Sequence, residues 1–190
     1  MGIKKIRTAV FISGKGTNLK NLIKFSKSKK SPIKICLVFS NNRLAKGLNY
    51  AKKYLIERKI YNFTNKKKAE FLILKNLKIN KIQLICLAGF MKVLSPDFIK
   101  KFKGKILNIH PSLLPKYKGL NTHARAIVNK DKYSGCTVHL VNAKLDSGKI
   151  ILQKKVKIFK QDTVYKLKKR VQKQEYKLYP KAISKLYFSP

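Results

Sequence analysis

Residues 6–19, with the sequence IRTAVFISGKGTNL, join a strand, a glycine turn and the start of a helix, and this combination decides the fold class. The apolar run Ile6–Ser13 predicts a buried strand, and the amphipathic segment Asn18–Lys27 predicts a helix directly after it. Gly14 and Gly16 lie in the turn between them. Because a strand followed at once by a helix leads into a right-handed crossover to a parallel neighbour, the segment indicates an α/β protein with a parallel sheet.

The same alternation of apolar runs and amphipathic segments continues along the chain. Three further strands are predicted at Ile33–Ser40, Gln83–Ala88 and Ile106–Ile109. Three further helices are predicted at Lys46–Lys53, Lys67–Leu77 and Pro96–Phe102. The last part of the chain predicts a hairpin pair or edge strands and a long helix, at Thr137–Val141, Ile150–Val156 and Thr163–Leu186. We therefore predict an α/β fold, a single three-layer αβα Rossmann-like domain over residues 1–190, with a mostly parallel sheet and an antiparallel C-terminal strand pair.

The composition limits the class of protein further. A chain of 190 residues that is 44% apolar is long enough to bury its own core. No apolar run approaches the roughly 18 residues of a membrane span, and the first residues lack the pattern of a secretory signal. The cysteines Cys36, Cys86 and Cys136 are odd in number and widely spaced, which predicts reduced, buried thiols and no metal site. We expect a cytoplasmic protein without membrane association.

The charge of the chain is strongly one-sided. Lysine and arginine number 46 against seven acids, which gives a net charge of +39. Such a charge can indicate nucleic-acid binding, but it can equally result from a drift in residue usage. The lysines are spread along the whole chain, and no RNP, zinc-finger or basic-zipper pattern accompanies them, which favours drift. We expect non-specific RNA association at most, together with attraction of phosphorylated small-molecule substrates.

The glycine turn Ser13–Leu19 is a candidate phosphate loop. Glycines at a strand-to-helix turn let backbone N–H groups approach an anion, and the helix N-terminus adds a favourable partial charge. The turn lacks the third glycine of a dinucleotide fingerprint, so NAD is not expected, and it lacks the spacing of a Walker loop. Two interpretations remain open: a small site for a monophosphorylated substrate, and a plain tight turn with Thr17 or Asn18 as the helix N-cap.

A second candidate site lies at the end of the strand predicted at Ile106–Ile109. In the segment Asn108–Ser112 the side chains of Asn108 and His110 are two residues apart, so they share one face of the strand. An amide donor and an imidazole on one face suit a reaction that develops an oxyanion and needs a proton. Asp146 lies in a turn between two predicted strands, and a carboxylate beside the imidazole would raise its pKa and fix its tautomer. The alternative is a histidine that caps a strand and an ordinary turn aspartate.

These motifs resemble the folate-dependent formyltransferases over nearly the whole chain. The matching segments are SGKGTNL, LAGFMKVLSPDF, LNIHPSLLPKYKGLNTH, TVHLV, LDSGKIILQ and RVQKQEYKLYP. The phosphate loop and residues 172–175 are similar to the branch of the family that acts on glycinamide ribonucleotide. The resemblance implies transfer of the formyl group of 10-formyltetrahydrofolate, a co-substrate, to the amine of 5'-phosphoribosylglycinamide in purine biosynthesis, without metal or NAD.

The resemblance also implies roles for individual residues. Catalysis would rest on Asn108, His110 and Asp146. The phosphoribosylglycinamide would contact Gly16, Thr17, Asn18, Gln172, Lys173, Gln174 and Glu175. The folate would contact Lys68, Met91, Lys92, Val93, Leu94, Asn108, Asn142, Ala143, Lys144, Leu145 and Asp146. We expect a monomer or a weak homodimer.

The chain departs from the family pattern at three places. Lys15 stands where the phosphate loop usually carries a neutral residue, and Lys68 replaces the usual arginine, which removes a bidentate grip on a carboxylate. The chain ends at Pro190, so the resemblance implies a shortened C-terminus. The alternatives are a formyltransferase or formyl hydrolase that acts on another acceptor, and a degenerate relative that binds nucleic acid.

Overall fold

The computed structural model describes residues 5–188, and the chain divides after Leu107 into two compact units. The helices and strands of the first unit are β1 Ile6–Ile12, α1 Thr17–Ser26, β2 Ile33–Ser40, α2 Leu48–Lys53, β3 Glu57–Ile60, α3 Lys66–Ile79, β4 Leu84–Leu87 and α4 Pro96–Lys101. Strand β5, Lys105–His110, carries the chain from the first unit into the second. The second unit continues with α5 Thr122–Val128, β6 Tyr133–Leu140, β7 Ile150–Lys157 and α6 Val164–Phe188.

In the first unit the strands run in the order β3-β2-β1-β4-β5. Strand β1 pairs in parallel with β2 and β4, and β2 pairs in parallel with β3. From Thr8 onward every residue of β1 is buried, as expected for a central strand covered on both faces. The rings of Phe11 and Phe39 lie 5.0 Å apart between centroids, which links β1 to β2 within the core. Helix α1 packs against β2, and α2 packs against β2 and β3.

The turn between β1 and α1 is held by a close approach of two glycines. Gly16 has a φ of 69°, in the left-handed region that favours glycine. A Cβ at Gly16 would lie 2.4 Å from the Cα of Gly47, and the N–H of Gly47 donates to the carbonyl of Gly14 at 2.9 Å. The backbone on both sides of this contact can therefore come together only without side chains.

In the second unit the order is β5-β6-β7, and β6 pairs with β7 in antiparallel fashion. Helix α6 packs against both β6 and β7, and also against α5. Strand β7 ends the order, and its side chains Lys154, Lys155 and Lys157 are exposed.

The predicted fold class is confirmed: helices flank a mostly parallel Rossmann-like sheet with an antiparallel C-terminal strand pair. Two elements were not predicted, namely β3 with its sequence ERKI and the short helix α5. Strand β6 begins at Tyr133 rather than Thr137. The prediction of a single domain stays a prediction, and Pro190, with the shortening implied there, lies outside the described residues.

All three cysteines are free, as predicted. Cys86 and Cys136 are buried, and burial raises the pKa of the Cys136 thiol to about 12 with a further contribution from Glu175. Cys36 is only half-buried, so the prediction of burial is wrong for this residue. No helix within residues 5–188 is both long and apolar enough to cross a membrane.

A buried carboxylate fixes the start of α4 in the first unit. The N–H of Ser95 donates to Glu70 at 2.8 Å, and the Ser95 hydroxyl donates to the other Glu70 oxygen at 2.5 Å. The Ser95 hydroxyl oxygen in turn accepts from the N–H of Phe98 as the N-cap of the helix, with a distance of 3.0 Å. Since Glu70 belongs to α3, this carboxylate ties α3 to the first turn of α4.

We predict that Glu70→Ala lowers the free energy of unfolding by about 1–3 kcal/mol, because two partly buried donors of Ser95 lose their acceptor. Urea denaturation followed by circular dichroism measures the change. The matched control is Glu57→Ala, whose exposed carboxylate pairs only with Lys59 among the described contacts and should cost less than about 1 kcal/mol. Equal losses in the two variants would contradict the assigned role of Glu70.

Candidate active site

Three of the predicted site residues lie together in the second unit. The Asn108 amide donates to Asp146 at 3.4 Å, and Nδ1 of His110 lies 3.4 Å from the other oxygen of the same carboxylate. Asn108 and His110 are two residues apart in β5, so the alternation of the strand brings both side chains to one carboxylate. The side chains of His110 and Asp146 are only 6% and 7% exposed, and so the pair is shielded from solvent.

The loop after β5 supplies the remaining contacts of this pair. The Nε2 atom of His110 lies 2.8 Å from the carbonyl oxygen of Tyr117. Because a carbonyl can only accept, Nε2 carries a proton. The N–H of Gly119 donates to Asp146 at 2.9 Å. Asp146 itself has a φ of 45°, an uncommon backbone conformation for a residue with a side chain.

His139, which was not predicted as a site residue, lies in β6 beside the same carboxylate. Its Nδ1 atom lies 2.8 Å from the carbonyl oxygen of Leu140, so Nδ1 carries a proton. Its Nε2 atom lies 3.2 Å from the Asn108 amide nitrogen and 3.6 Å from Asp146. In the neutral form Nε2 accepts from Asn108 and orients that amide. The alternation of TVHLV could have pointed to an inward histidine, although it could not name its neighbours.

The pKa of His110 is shifted in the direction opposite to the predicted one. Burial lowers the pKa of His110 below its ordinary value, and Coulombic interactions with the His139 imidazole and the Arg125 guanidinium lower it further. The Tyr117 carbonyl and the Asp146 carboxylate both raise the pKa, but they do not outweigh burial. The predicted increase of the His110 pKa is therefore wrong in its net direction, although the contribution of Asp146 has the predicted sign.

Asp146 stays ionised in spite of its burial. Burial raises the pKa of its carboxyl, but the contacts with His139 and Gly119 and the charges of His110 and His139 lower that pKa below its ordinary value overall. The second unit thus holds a buried carboxylate, a largely neutral imidazole at neutral pH and an amide donor within reach of one another. This set can stabilise a developing oxyanion and move a proton.

In the first unit, Ser13 ties the start of the candidate phosphate loop to two other segments. Its hydroxyl donates to Asn41 at 2.5 Å and accepts from the backbone N–H of Met91 at 2.8 Å. Gly16 precedes α1, and Thr17 and Asn18 form its first turn. The backbone N–H groups of this turn lie at the positive end of the α1 dipole, as the phosphate hypothesis requires.

The predicted folate segment in the first unit follows β4. Met91 and Val93 expose 62% and 61% of their surface, Lys92 is exposed, and Leu94 is buried. Two exposed apolar side chains on an anchored segment suit contact with a flat aromatic ligand. Lys68 is exposed on the first turn of α3, and its backbone N–H donates to Asn65.

The other predicted ligand residues lie in the second unit with different degrees of exposure. The folate loop residues Asn142, Ala143, Lys144 and Leu145 are all exposed and lead directly into Asp146. In α6, Glu175 is buried, Gln172 and Gln174 are half-buried, and Lys173 is exposed. Four consecutive helical residues cannot share one face, so Lys173 faces solvent. Among the described residues no group of three or more His, Cys, Asp or Glu side chains is arranged to hold a metal ion.

The sequence matches the family described as formyl transferase over residues 6–183. It is 47% identical over 184 residues to a phosphoribosylglycinamide formyltransferase of Haemophilus influenzae, which covers 95% of this chain and 86% of that protein. It is 42% identical over 186 residues to the trifunctional purine biosynthetic protein adenosine-3 of Homo sapiens, where the match covers 95% of this chain and 18% of that protein.

The fold of the chain is also similar to that of solved structures. The structure of phosphoribosylglycinamide formyltransferase from Brucella melitensis has a TM-score of 0.92 and 42% identity, with 98% of each chain covered. The enzyme of the same name from Bacillus halodurans has a TM-score of 0.91 and 34% identity, with 96% of each chain covered.

A third histidine, His123 of α5, is buried near the site without taking part in it. Burial, Lys168 and His110 together lower the pKa of His123 to about 4, and its Nδ1 atom has no hydrogen-bond partner among the described residues. The unfolded chain binds a proton near pH 6.5, whereas the folded chain binds it only near pH 4. This group therefore contributes stability above pH 6.5, which is lost as the pH falls toward 4.

We predict that His123→Gln flattens the decrease in the free energy of unfolding between pH 6.5 and pH 4. One such proton accounts for at most about 1.4 kcal/mol per pH unit. Urea denaturation at several pH values measures the slope. Lys130→Gln, at an exposed position just beyond α5, serves as the control and should leave the slope unchanged. A slope that His123→Gln does not alter would contradict the assignment.

Proposed function

Since the chain belongs to the formyl transferase family, we propose that it transfers the formyl group of 10-formyltetrahydrofolate to the amine of 5'-phosphoribosylglycinamide. The product is 5'-phosphoribosyl-N-formylglycinamide, an intermediate of purine biosynthesis. The names of the Haemophilus influenzae and Brucella melitensis relatives support this acceptor. The observation that carries the proposal is the cluster of Asn108, His110 and Asp146 in the second unit.

The acceptor amine attacks the formyl carbon directly, and the formyl oxygen becomes an oxyanion. Asn108 donates an N–H to this oxygen. Both hydrogens of its amide have acceptors, His139 at 3.2 Å and Asp146 at 3.4 Å. The 3.4 Å contact is long for a hydrogen bond, so the amide exchanges it for the oxyanion at little cost. His139 keeps the amide plane oriented during this exchange.

His110 accepts a proton from the attacking amine and later donates it to the folate. Its lowered pKa leaves it mostly neutral at neutral pH, so it takes the proton that the attacking amine loses. The resulting imidazolium is stabilised by the Asp146 carboxylate and by the oxyanion. The proton then passes to N10 as the bond between the formyl carbon and N10 breaks, which releases tetrahydrofolate. Asp146 serves as the fixed negative charge of this cycle.

The ligand contacts follow the family pattern within each unit. Gly16, Thr17 and Asn18 bind the substrate phosphate through the first turn of α1, with Lys15 adding positive charge. Gln172–Glu175 line the ribose and glycinamide side. The buried position of Glu175 supports an orienting role for this carboxylate, whereas the exposed Lys173 supports only an outer contact.

The folate contacts form two sets. In the first unit, the backbone of Met91–Leu94 contacts the pterin, and Lys68 attracts the glutamate tail. In the second unit, the loop Asn142–Asp146 supplies the other set. Met91 and Val93 in the first unit are exposed and apolar, as is Leu145 in the second, and within each set this suits contact with an aromatic co-substrate. A cytoplasmic location, a monomer or weak homodimer, and non-specific RNA association stay predictions.

We predict that Asn108→Ala, His110→Ala and Asp146→Asn each lower kcat by about 10²–10³, because each removes a donor or a charge that acts in the transition state. The assay combines glycinamide ribonucleotide with 10-formyltetrahydrofolate and follows release of the deformylated folate. Asp97→Asn removes an exposed carboxylate of α4 and is the control with unchanged turnover. Near-normal turnover in all three site variants would refute the proposed mechanism. Folate deformylation that is independent of the acceptor would point to a hydrolase.

We predict further that Lys15→Asn raises KM for the phosphorylated acceptor about two- to fivefold, since a nearby positive charge is lost. With the acceptor that lacks the phosphate, the same substitution should change KM by less than this. Lys24→Asn, exposed near the end of α1, provides a control of equal charge. The same increase of KM for both acceptors would contradict phosphate binding at this loop.

A further inference from the structure

The loop Lys116–Gly119, called here the 116–119 loop, contacts both members of the His110–Asp146 pair through its backbone. The carbonyl of Tyr117 accepts from Nε2 of His110 at 2.8 Å. The N–H of Gly119 donates to Asp146 at 2.9 Å. The same short loop therefore sets the tautomer of the imidazole and supplies a hydrogen bond to the carboxylate.

This loop has an unfavourable backbone conformation that needs support. Tyr117 has a φ of 55°, in the left-handed region that costs a residue with a Cβ about 1–2 kcal/mol. Gly119 has a φ of 77°, which glycine adopts without this cost. The Tyr117 carbonyl points to His110 only while this conformation is kept.

The side chain of Tyr117 is held from three sides. Its hydroxyl donates to Asp131 at 2.8 Å and accepts from the Asn129 amide at 2.9 Å. The Arg125 guanidinium lies 5.0 Å from the ring centroid and also donates to the carbonyl of Lys118 at 2.8 Å. The aromatic ring is thus fixed at both its face and its polar end.

Asp131 is the centre of this support. Its side chain is 15% exposed, and it accepts from Tyr117 through one oxygen and from the Lys116 ammonium through the other at 3.1 Å. It lies between α5 and β6, outside the group of residues proposed to touch the substrates. Hydrogen bonds to a charged acceptor are stronger than neutral ones, so this carboxylate contributes most to the fixation of Tyr117.

We propose that Asp131 is a positioning residue for the reaction: by binding Lys116 and Tyr117 it fixes the 116–119 loop, which in turn holds His110 and Asp146. The effect on turnover rests on the proposed function, whereas the effect on the histidine does not. The Ser112 hydroxyl also donates to the carbonyl of Lys116, at 2.6 Å. Because this second anchor remains, loss of Asp131 should loosen the loop without unfolding the chain.

Loosening of the 116–119 loop should lower the pKa of His110. The Tyr117 carbonyl is an acceptor that favours the protonated imidazole, so its displacement lowers the pKa of His110 further. The other charged or titratable groups that act on His110 are Asp146, His139, Arg125 and His123. A substitution at Asp131 or removal of the Tyr117 hydroxyl removes none of these groups. Arg125 and Asp146 contact the 116–119 loop themselves, so the measured pKa reports the position of the loop as a whole.

The test uses the full chain with Asp131→Ala, Tyr117→Phe and the double variant, and Asp97→Ala as the exposed carboxylate control. The pKa of His110 is measured from the pH dependence of its imidazole NMR signal, which is assigned with His110→Asn. Both single variants should lower this pKa. The double variant should lower it by less than the sum of the two, because each single variant already removes the hydrogen bond between Tyr117 and Asp131. In the formyl transfer assay, kcat should fall about three- to tenfold with KM changed less than twofold.

The conservative variant Asp131→Asn keeps an acceptor oxygen for the Tyr117 hydroxyl, so it should recover most of the His110 pKa and of kcat. An unchanged His110 pKa in Tyr117→Phe, which removes a single oxygen, would overturn the proposal whether or not Asp131→Ala folds. Additive effects in the double variant would do the same. If the unaltered chain transferred no formyl group, the proposed function would fail, and the NMR titration would still decide the role of Asp131.

Discussion

The site of the second unit depends on one buried negative charge, the carboxylate of Asp146. Its side chain is 7% exposed, and its surroundings are a backbone N–H, an amide and two imidazoles. A buried carboxylate is tolerated only when it is paired and hydrogen-bonded. Asp146 therefore requires all of these neighbours, and the chemistry proposed for Asn108 and His110 depends on their contacts with this carboxylate.

The fold could be predicted from the sequence where strands are covered on both faces. The strands β1 and β2 are almost continuous apolar runs, and an amphipathic helix follows each of them. Strand β3 was missed because its sequence ERKI is mostly charged and exposed. It therefore shows neither the two-residue apolar period of a strand nor the 3.6-residue period of a helix. Helix α5 was missed because seven residues are too few to show a helical period and lie in a segment with several turn residues.

The proximity of Asn108, His110 and Asp146 could be predicted because each of them stands out within a short segment of the sequence. The alternation of β5 puts Asn108 and His110 on one face, and the rarity of acids made Asp146 conspicuous. The direction of the His110 pKa could not be predicted, because burial is a property of the whole unit and outweighs the carboxylate. The roles of His139 and Tyr117 depend on contacts between segments distant in sequence, and these have no periodic pattern.

Part of the large positive charge lies on the exposed lysines of β7, where it affects the exposed border of the sheet. An outermost strand carries unpaired backbone N–H and C=O groups, to which a second chain can add. Lys154, Lys155 and Lys157 are exposed on this strand, and β3, the outermost strand of the first unit, exposes Glu57 and Arg58. Charges at both borders oppose edge-to-edge association and aggregation. The exposed lysines of β7 thereby protect this border strand, and the protection weakens in concentrated salt.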